Sequence, residues 1–305
     1  MRQSLKYRVE YLLSKSLAFF GKIIPHPLAL LMGKGIGDLF YFVIGIRKRV
    51  ALENMNRAFQ SKRTEQEIRH ILRNHYQHMG KVLMEFACIP KLNRENIAET
   101  VAIHNAEILT DANARGHGAI VLSAHFGNWE YLAMSLANLP TPFYAVFMEQ
   151  KNLAVDQIIK EYRMKTGLRP LKVGGAARGV IMALREGSNV LTLLDQDGGW
   201  DGKFVKFFGA PASTSTGPIS IALRYKAPIL LAMSAREKDN RIHIYLEKIL
   251  EIGALPDSDE SVEWVLHQYH AKLEHYIDRY PEQWFWMHRR WKTPPPESRH
   301  ARTRE

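Results

Sequence analysis

An α/β fold, with a mixed but largely parallel central sheet covered by helices and N-terminal membrane-associating helices ahead of it, is predicted by three observations in this 305-residue sequence. Short apolar runs alternate with longer amphipathic stretches through residues 119–280, the pattern of strands separated by helical crossovers. Polar and glycine-rich blocks follow directly on two of those runs, as expected of loops at strand exits. The first 46 residues read differently, because cations there sit beside an apolar stripe.

In chain order, residues 1–50 carry Arg2, Lys6, Arg8, Lys15, Lys22, Lys34, Arg47, Lys48 and Arg49 against only Glu10 and Asp38. Leu5, Val9, Leu12, Leu13, Leu17, Phe20 and Ile24 recur among them at helical spacing. Such a helix lies in a membrane interface. The run 28–46 is more apolar still and approaches the ~20 residues needed to span a bilayer. Lys34 and Asp38 in its middle oppose spanning, since a charge at mid-bilayer costs several kcal/mol. Insertion into one leaflet, with Arg47, Lys48 and Arg49 on anionic headgroups, is the favoured reading; two helices packed on the protein's own core is the alternative. Gly33, Gly35 and Gly37 follow no strand and are read as allowing close helix packing rather than nucleotide binding. Residues 1–46 are therefore assigned to membrane-associating helices, 47–293 to the α/β domain, and 294–305 to a basic disordered tail.

Within the α/β domain an amphipathic helix is expected over 64–86, capped by Ser61 or Thr64. Strands are expected at 119–124, 143–147, 190–194, 229–234 and 242–246. Helices are expected near 129–139, 153–166, 176–186, 216–225 and 261–280. The single cysteine, Cys88, excludes an internal disulfide framework and reads as a buried structural thiol. The net charge of +11 points to an acidic partner. Nucleic acid would use the charge but leaves the apolar N-terminus unexplained, so no nucleic acid partner is expected.

The candidate reaction centre is the hexapeptide His125-Phe126-Gly127-Asn128-Trp129-Glu130, between the strand at 119–124 and the following helix. Gly127 and Asn128 supply the bend, with Asn128 as N-cap. The turn can bring Glu130 back to the His125 ring, fixing its tautomer for work as a general base. Asp195-Gln196-Asp197-Gly198-Gly199 leaves the strand at 190–194 into the same crevice; an ordinary turn is the plain alternative. The hydroxyls of the 207–217 segment either cap the next helix or surround a phosphate at its N-terminus. Lys160 and Arg163 lie on one helix face able to clamp phosphates, against a plain reading as solvated charge. Three tryptophans stand with His288, Arg289, Arg290 and Lys292 in residues 281–292, suiting a lipid interface or a stacking site; ordinary core packing is the plain alternative for the tryptophans, less easily for the Arg pair. No metal is expected, because His125 and Glu130 lack the paired-histidine spacing of zinc hydrolases. No cofactor fingerprint is present either.

Taken together these segments resemble the late acyltransferases of lipid A biosynthesis, the lauroyl and myristoyl transferases within the lysophospholipid acyltransferase superfamily. The resemblance covers the basic amphiphilic N-terminus, the His-x4-acid motif at His125 and Glu130, and the Arg163 region. It continues through the Asp195-Gln196-Asp197-Gly198 block, the 207–217 run and the 281–290 terminus. The superfamily's Pro-Glu-Gly-like segment is replaced by Asp195-Gln196-Asp197-Gly198, which weakens any claim to a glycerol-3-phosphate acceptor. The resemblance implies transfer of a fatty acyl chain from acyl carrier protein to a hydroxyl of a lipid A precursor, usually that of a 3-hydroxyacyl chain. It implies a site at the cytoplasmic face of the inner membrane, among anionic lipids and without a metal. His125 would be the base and Glu130 its orienting acid. Arg163 would hold a phosphate or developing charge, while Asn128 and Asp195 would line the site. Arg289 and Arg290 are either structural or in contact with headgroups. Rival readings are an acyl thioesterase with the same site, a glycerolipid acyltransferase, and a non-catalytic membrane-binding module.

Overall fold

The computed structural model describes residues 5–296 except 115, 117, 174 and 252. The expected tail from residue 297 onward and Arg2 lie outside the described residues.

Two helices open the chain, α1 (Leu5–Ile23) and α2 (His26–Leu39), the second running into a π-helical turn at Phe40–Ile44 that Gly45 closes in the left-handed conformation. They dock on the long helix α4 (Glu65–Cys88), reached through α3 (Lys48–Phe59). Glycine makes the docking possible. A Cβ on Gly33 would meet the Gly80 carbonyl oxygen at 2.6 Å, and one on Gly37 the Tyr76 oxygen at 2.3 Å, so the α2 and α4 backbones touch where side chains are missing. Gly35 faces open space and takes no part. Asp38, in the last turn of α2, accepts from Arg73 at 2.8 Å and from Gln77 at 2.9 Å, so its charge is satisfied on α4.

The opposite faces of α1 and α2 stay bare. Leu5, Leu12, Leu13, Phe19, Phe20, Ile23, Leu31, Phe42 and Val43 are all exposed, an apolar surface larger than scattered residues make. Within the described residues, His26–Ile44 is long and apolar enough to cross a membrane by length and composition.

After short helix α5 (Ile97–Thr100) comes β1 (Val101–His104), then α6 (Glu107–Ala114), β2 (Ile120–Ser123), α7 (Trp129–Leu136), β3 (Phe143–Phe147), α8 (Leu153–Met164), β4 (Arg169–Lys172), α9 (Ala176–Arg185) and β5 (Asn189–Leu193). A hairpin of β6 (Lys203–Phe207) and β7 (Ala210–Thr214) follows, then α10 (Gly217–Arg224), β8 (Ile229–Arg236), β9 (Ile242–Leu250) and α11 (Asp259–Arg279). The main sheet has the order β1-β9-β8-β2-β5-β3-β4. β8, β2, β5, β3 and β4 are parallel, while β9 runs against β8 and pairs in parallel with β1. The sheet is thus mixed and mostly parallel, as expected. β2 and β8 are buried along their whole length, as sheets covered on both faces require.

Differences from expectation lie where the local signal is weak. β1 and β4 are four-residue edge strands, and β4 holds Pro170, a residue tolerated only at a sheet edge. The 207–217 segment expected as a capping loop is mostly hairpin, and Thr216 at the start of α10 makes no side-chain cap. The α4 cap is Thr64, in a reciprocal capping box with Glu67. Cys88 is fully buried, as expected of a structural thiol.

Burial also leaves three histidines uncharged. Desolvation lowers His75 to about 4 and His78 and His270 to about 3, while backbone carbonyls accept from their rings. In the unfolded chain these rings protonate near pH 6.5, so between there and about pH 4 the unfolded state binds more protons and stability rises with pH. We expect the melting temperature to fall by several degrees as pH drops from 6.5 to 4.5, with His270→Gln flattening the slope; a melting temperature constant over that range would contradict it.

Candidate active site

The register of two central strands builds the site. β2 and β5 pair in parallel with a constant offset, Ile120 opposite Val190 and Ser123 opposite Leu193. Carried two residues past the strand ends, the same offset sets His125 beside Asp195. Neighbouring strands lie about 4.8 Å apart, within side-chain reach. His125 Nδ1 donates to Asp195 Oδ1 at 2.9 Å. The other carboxylate oxygen, Oδ2, accepts from the indole Nε1 of Trp284 at 2.9 Å.

Asp195 is therefore fully partnered and buried. Burial alone would raise its pKa, but the charge and hydrogen bond of His125, with the Trp284 bond, leave it lowered. For His125 burial disfavours the charged ring; the Asp195 charge and hydrogen bond, joined by the charge of Glu130, outweigh this and raise the ring above its ordinary 6.5. With Nδ1–H held by Asp195, Nε2 is the nitrogen left to accept a proton. It faces a cavity of about 630 Å³, with Gln196 Nε2 3.4 Å away.

Here the geometry departs from the sequence expectation. Glu130 does not bond the His125 ring; both of its oxygens are taken by Arg163, from Nε at 2.9 Å and from Nη2 at 2.6 Å. Asp195 makes the contact expected of Glu130. The reason is helical direction: Glu130 sits in the first turn of α7 and points across to the last turn of α8, where Arg163 also stacks 3.6 Å over the Phe147 ring. Two fixed pairs, His125–Asp195 and Glu130–Arg163, thus stand at one cavity, and His125, Glu130 and Arg163 all line it. Lys160, the other half of the expected clamp, is instead paired with Asp156 and Glu149.

The turn at 126–128 is held from behind. Gly127, at φ +59°, approaches β8 so closely that a Cβ would lie 1.9 Å from the Ser234 carbonyl oxygen, so only glycine fits. Asn128 caps α7 by accepting from Tyr131 N at 3.0 Å and donates to Glu85 at 2.8 Å. It is buried and does not line the cavity. Glu85 also pairs with Arg236 and, at 3.1 Å, with His26 at the start of α2. Burial would raise its pKa, but Arg236 and these hydrogen bonds lower it to about 2. A buried carboxylate that pattern reading did not single out therefore ties α2, β8 and the turn together.

The C-terminal segment serves the same end. Phe126 bridges Trp284, Phe285 N donates to His125 O at 2.9 Å, and Gly127 N donates to Gln283 O at 3.0 Å. Trp284 and Trp286 are core residues rather than interfacial ones. Arg290 is fully buried, donating to Ser213 O and to Thr214 Oγ1, and is structural. Arg289 is exposed and takes no part in the cavity.

Apolar side chains form much of the remaining wall: Val146, Phe147 and Met148 from β3 and its exit, Ala176, Ala177 and Val180 from α9, Leu193 and Leu194 from β5 and its exit, Pro218 and Ile221 from α10, and Phe285; Gln150, Thr192, Gln196 and Ser215 add polar groups. Such a site sets an imidazole of fixed tautomer at a largely apolar pocket. In an α/β protein that combination suits proton transfer on a substrate held partly by apolar contact.

Comparison with known proteins gives the family. The profile described as bacterial lipid A biosynthesis acyltransferase matches residues 3–293, and the chain belongs to that family. It is 25% identical over 275 residues to the lipid A biosynthesis lauroyltransferase of Escherichia coli (strain K12), covering 89% of this chain and 88% of that one. It is 23% identical over 273 residues to the palmitoleoyltransferase of the same organism, covering 89% and 87%. A phosphatidylinositol mannoside acyltransferase of Mycobacterium tuberculosis (strain CDC 1551 / Oshkosh) is 27% identical over 157 residues, half of each chain.

As a general base His125 would act in its neutral form, so activity is expected to rise with pH through a midpoint above 6.5. Asp195→Asn removes the charge that raises the ring and offers the wrong hydrogen-bonding group to Nδ1–H. We expect that midpoint to move down and the rate to fall on the order of 10²–10⁴-fold. Glu130→Gln should shift the midpoint less, since the His125–Asp195 bond survives. Equal pH profiles for wild type and Asp195→Asn would contradict the arrangement.

Proposed function

We propose that this protein transfers a fatty acyl chain from acyl carrier protein to a hydroxyl of a lipid A precursor, at the cytoplasmic face of the inner membrane, with His125 as general base. The observation that carries the reading is the His125–Asp195 pair opening into an apolar cavity in a chain of this family.

In the reaction the acceptor hydroxyl oxygen attacks the thioester carbonyl carbon while His125 Nε2 takes the hydroxyl proton. Asp195 stabilises the imidazolium that forms. This is the division of labour of a serine hydrolase triad, except that the substrate brings the nucleophile. The tetrahedral intermediate then breaks its carbon–sulfur bond, and the departing thiolate recovers the proton from His125. Arg163, immobilised by Glu130 through Nε and Nη2, keeps its Nη1 for the developing oxyanion or an acceptor phosphate. The acyl chain occupies the wall formed by β3, α9 and α10.

The N-terminal surface supports a membrane location. Exposed Leu12, Leu13, Phe19 and Phe20 on α1 lie beside Lys6, Arg8 and Lys15, an amphiphilic face suited to one leaflet. A net charge of +11 complements both an acidic carrier protein and a phosphorylated acceptor.

The test is transfer by the full-length protein in vesicles supplied with acyl carrier thioester, with or without lipid A precursor, read by mass spectrometry of both lipid and thioester. We expect an acceptor heavier by one acyl group. His125→Ala should lose 10²–10⁴-fold, an order-of-magnitude range, while remaining folded. Release of free fatty acid irrespective of acceptor would instead identify a thioesterase, and near-normal transfer by folded His125→Ala would remove the base.

A further inference from the structure

A second concavity, of about 360 Å³, lies between α3 and the segment 289–292, away from the reaction cavity. One wall is a single face of α3, where Arg49, Glu53 and Arg57 follow at four-residue steps. The other wall is Arg289, Trp291 and Lys292. Four cations thus face one carboxylate, and Glu53 is already engaged by Arg49 at 3.3 Å. Among the described residues Arg57, Arg289 and Lys292 have no carboxylate within ion-pair distance; Arg57 instead lies 5.2 Å over the Trp291 ring. Like charges gathered in a concave site repel one another unless an anion enters.

Position identifies the anion. The turn just before α3 is the exposed apolar stretch of Phe42, Val43 and Ile44. Arg47 donates to the Met287 carbonyl at 3.1 Å, and the Lys48 ammonium lies 3.8 Å over the Tyr41 ring. These contacts lash the apolar turn to the polar segment that forms the cleft. With the turn among acyl chains, the cleft stands at headgroup depth.

We propose that this cleft binds the phosphate of an anionic phospholipid headgroup. The inference rests on the membrane-associated reading above and adds a defined site to it. A concavity of this size suits one headgroup rather than a face of a protein. Binding there also braces the chain that serves the reaction centre, because Thr293 bonds Asp197 at 2.7 Å and Phe285 lines the cavity.

The test is flotation of the full chain with vesicles of phosphatidylcholine alone, or of two parts phosphatidylcholine to one part phosphatidylglycerol. The cleft variant carries Arg57→Gln, Arg289→Gln and Lys292→Gln; a control carries Lys206→Gln, Lys226→Gln and Lys238→Gln, removing the same charge elsewhere. We expect the cleft variant to lose about a hundredfold in affinity for the phosphatidylglycerol vesicles, and the control only a few-fold. Binding to phosphatidylcholine, which reports apolar insertion, should be equal in all three. Equal losses in cleft and control variants would overturn the site while leaving membrane association intact. Failure of wild type to float with either vesicle would overturn the membrane reading itself. Normal vesicle binding by the cleft variant, with weakened affinity for acyl carrier protein, would overturn the lipid assignment in favour of an acidic protein. Should the triple variant not fold, Arg289→Gln alone should lose about fivefold on phosphatidylglycerol vesicles, and no loss would overturn the proposal.

Discussion

The bond between His125 Nδ1 and Asp195 Oδ1 is the constraint around which the molecule is arranged. It exists because β2 and β5 pair in parallel at an offset that brings their exits together. It survives because Asp195, buried beneath the ring, has its second oxygen satisfied by Trp284. An unpaired carboxylate at that depth would be costly; here each oxygen has one directed donor. The imidazole gains a fixed tautomer and a raised basicity from the same contact.

Around that bond a set of buried polar groups converges on the turn at 126–128. Gly127 lies against Ser234 of β8, His78 of α4 meets the Gly127 carbonyl at 3.0 Å, and Gln283 accepts from the Gly127 amide. Glu85 then joins Asn128, Arg236 and His26. The last of these opens α2, so the apolar N-terminal helix and the reaction centre share one buried carboxylate. A turn braced from four elements holds the His125 imidazole in one position, as proton transfer by it would require.

Much of this was legible in the sequence. The five central strands and six of the larger helices announced themselves through apolar runs of fitting length and through caps such as Thr64 and Asn128. His125, Glu130, Arg163 and Asp195 were all picked out, and three of them line one cavity. What failed was pairing. Sequence proximity favoured Glu130 as the partner of His125, whereas strand register, a long-range property, selects Asp195 seventy residues away. The same limit hid Glu85, an acidic residue within an amphipathic helix whose burial depends on Arg236, 151 residues on. Composition leaves Arg290 open between a structural and a headgroup role and the tryptophans open between interface, stacking and core; packing makes Arg290, Trp284 and Trp286 core. Edge strands β1 and β4, four residues each, carry too little periodicity to declare themselves.

The proton between His125 Nδ1 and Asp195 is observed directly by nitrogen-15 NMR of ring-labelled protein. The account predicts that His125, assigned by its loss in His125→Ala, is in the Nδ1–H form at a pH where the ring is neutral. Its Nδ1 proton should be shifted downfield by the carboxylate, and the shift should disappear in Asp195→Asn. A ring protonated at Nε2, or one indifferent to Asp195→Asn, would contradict the account.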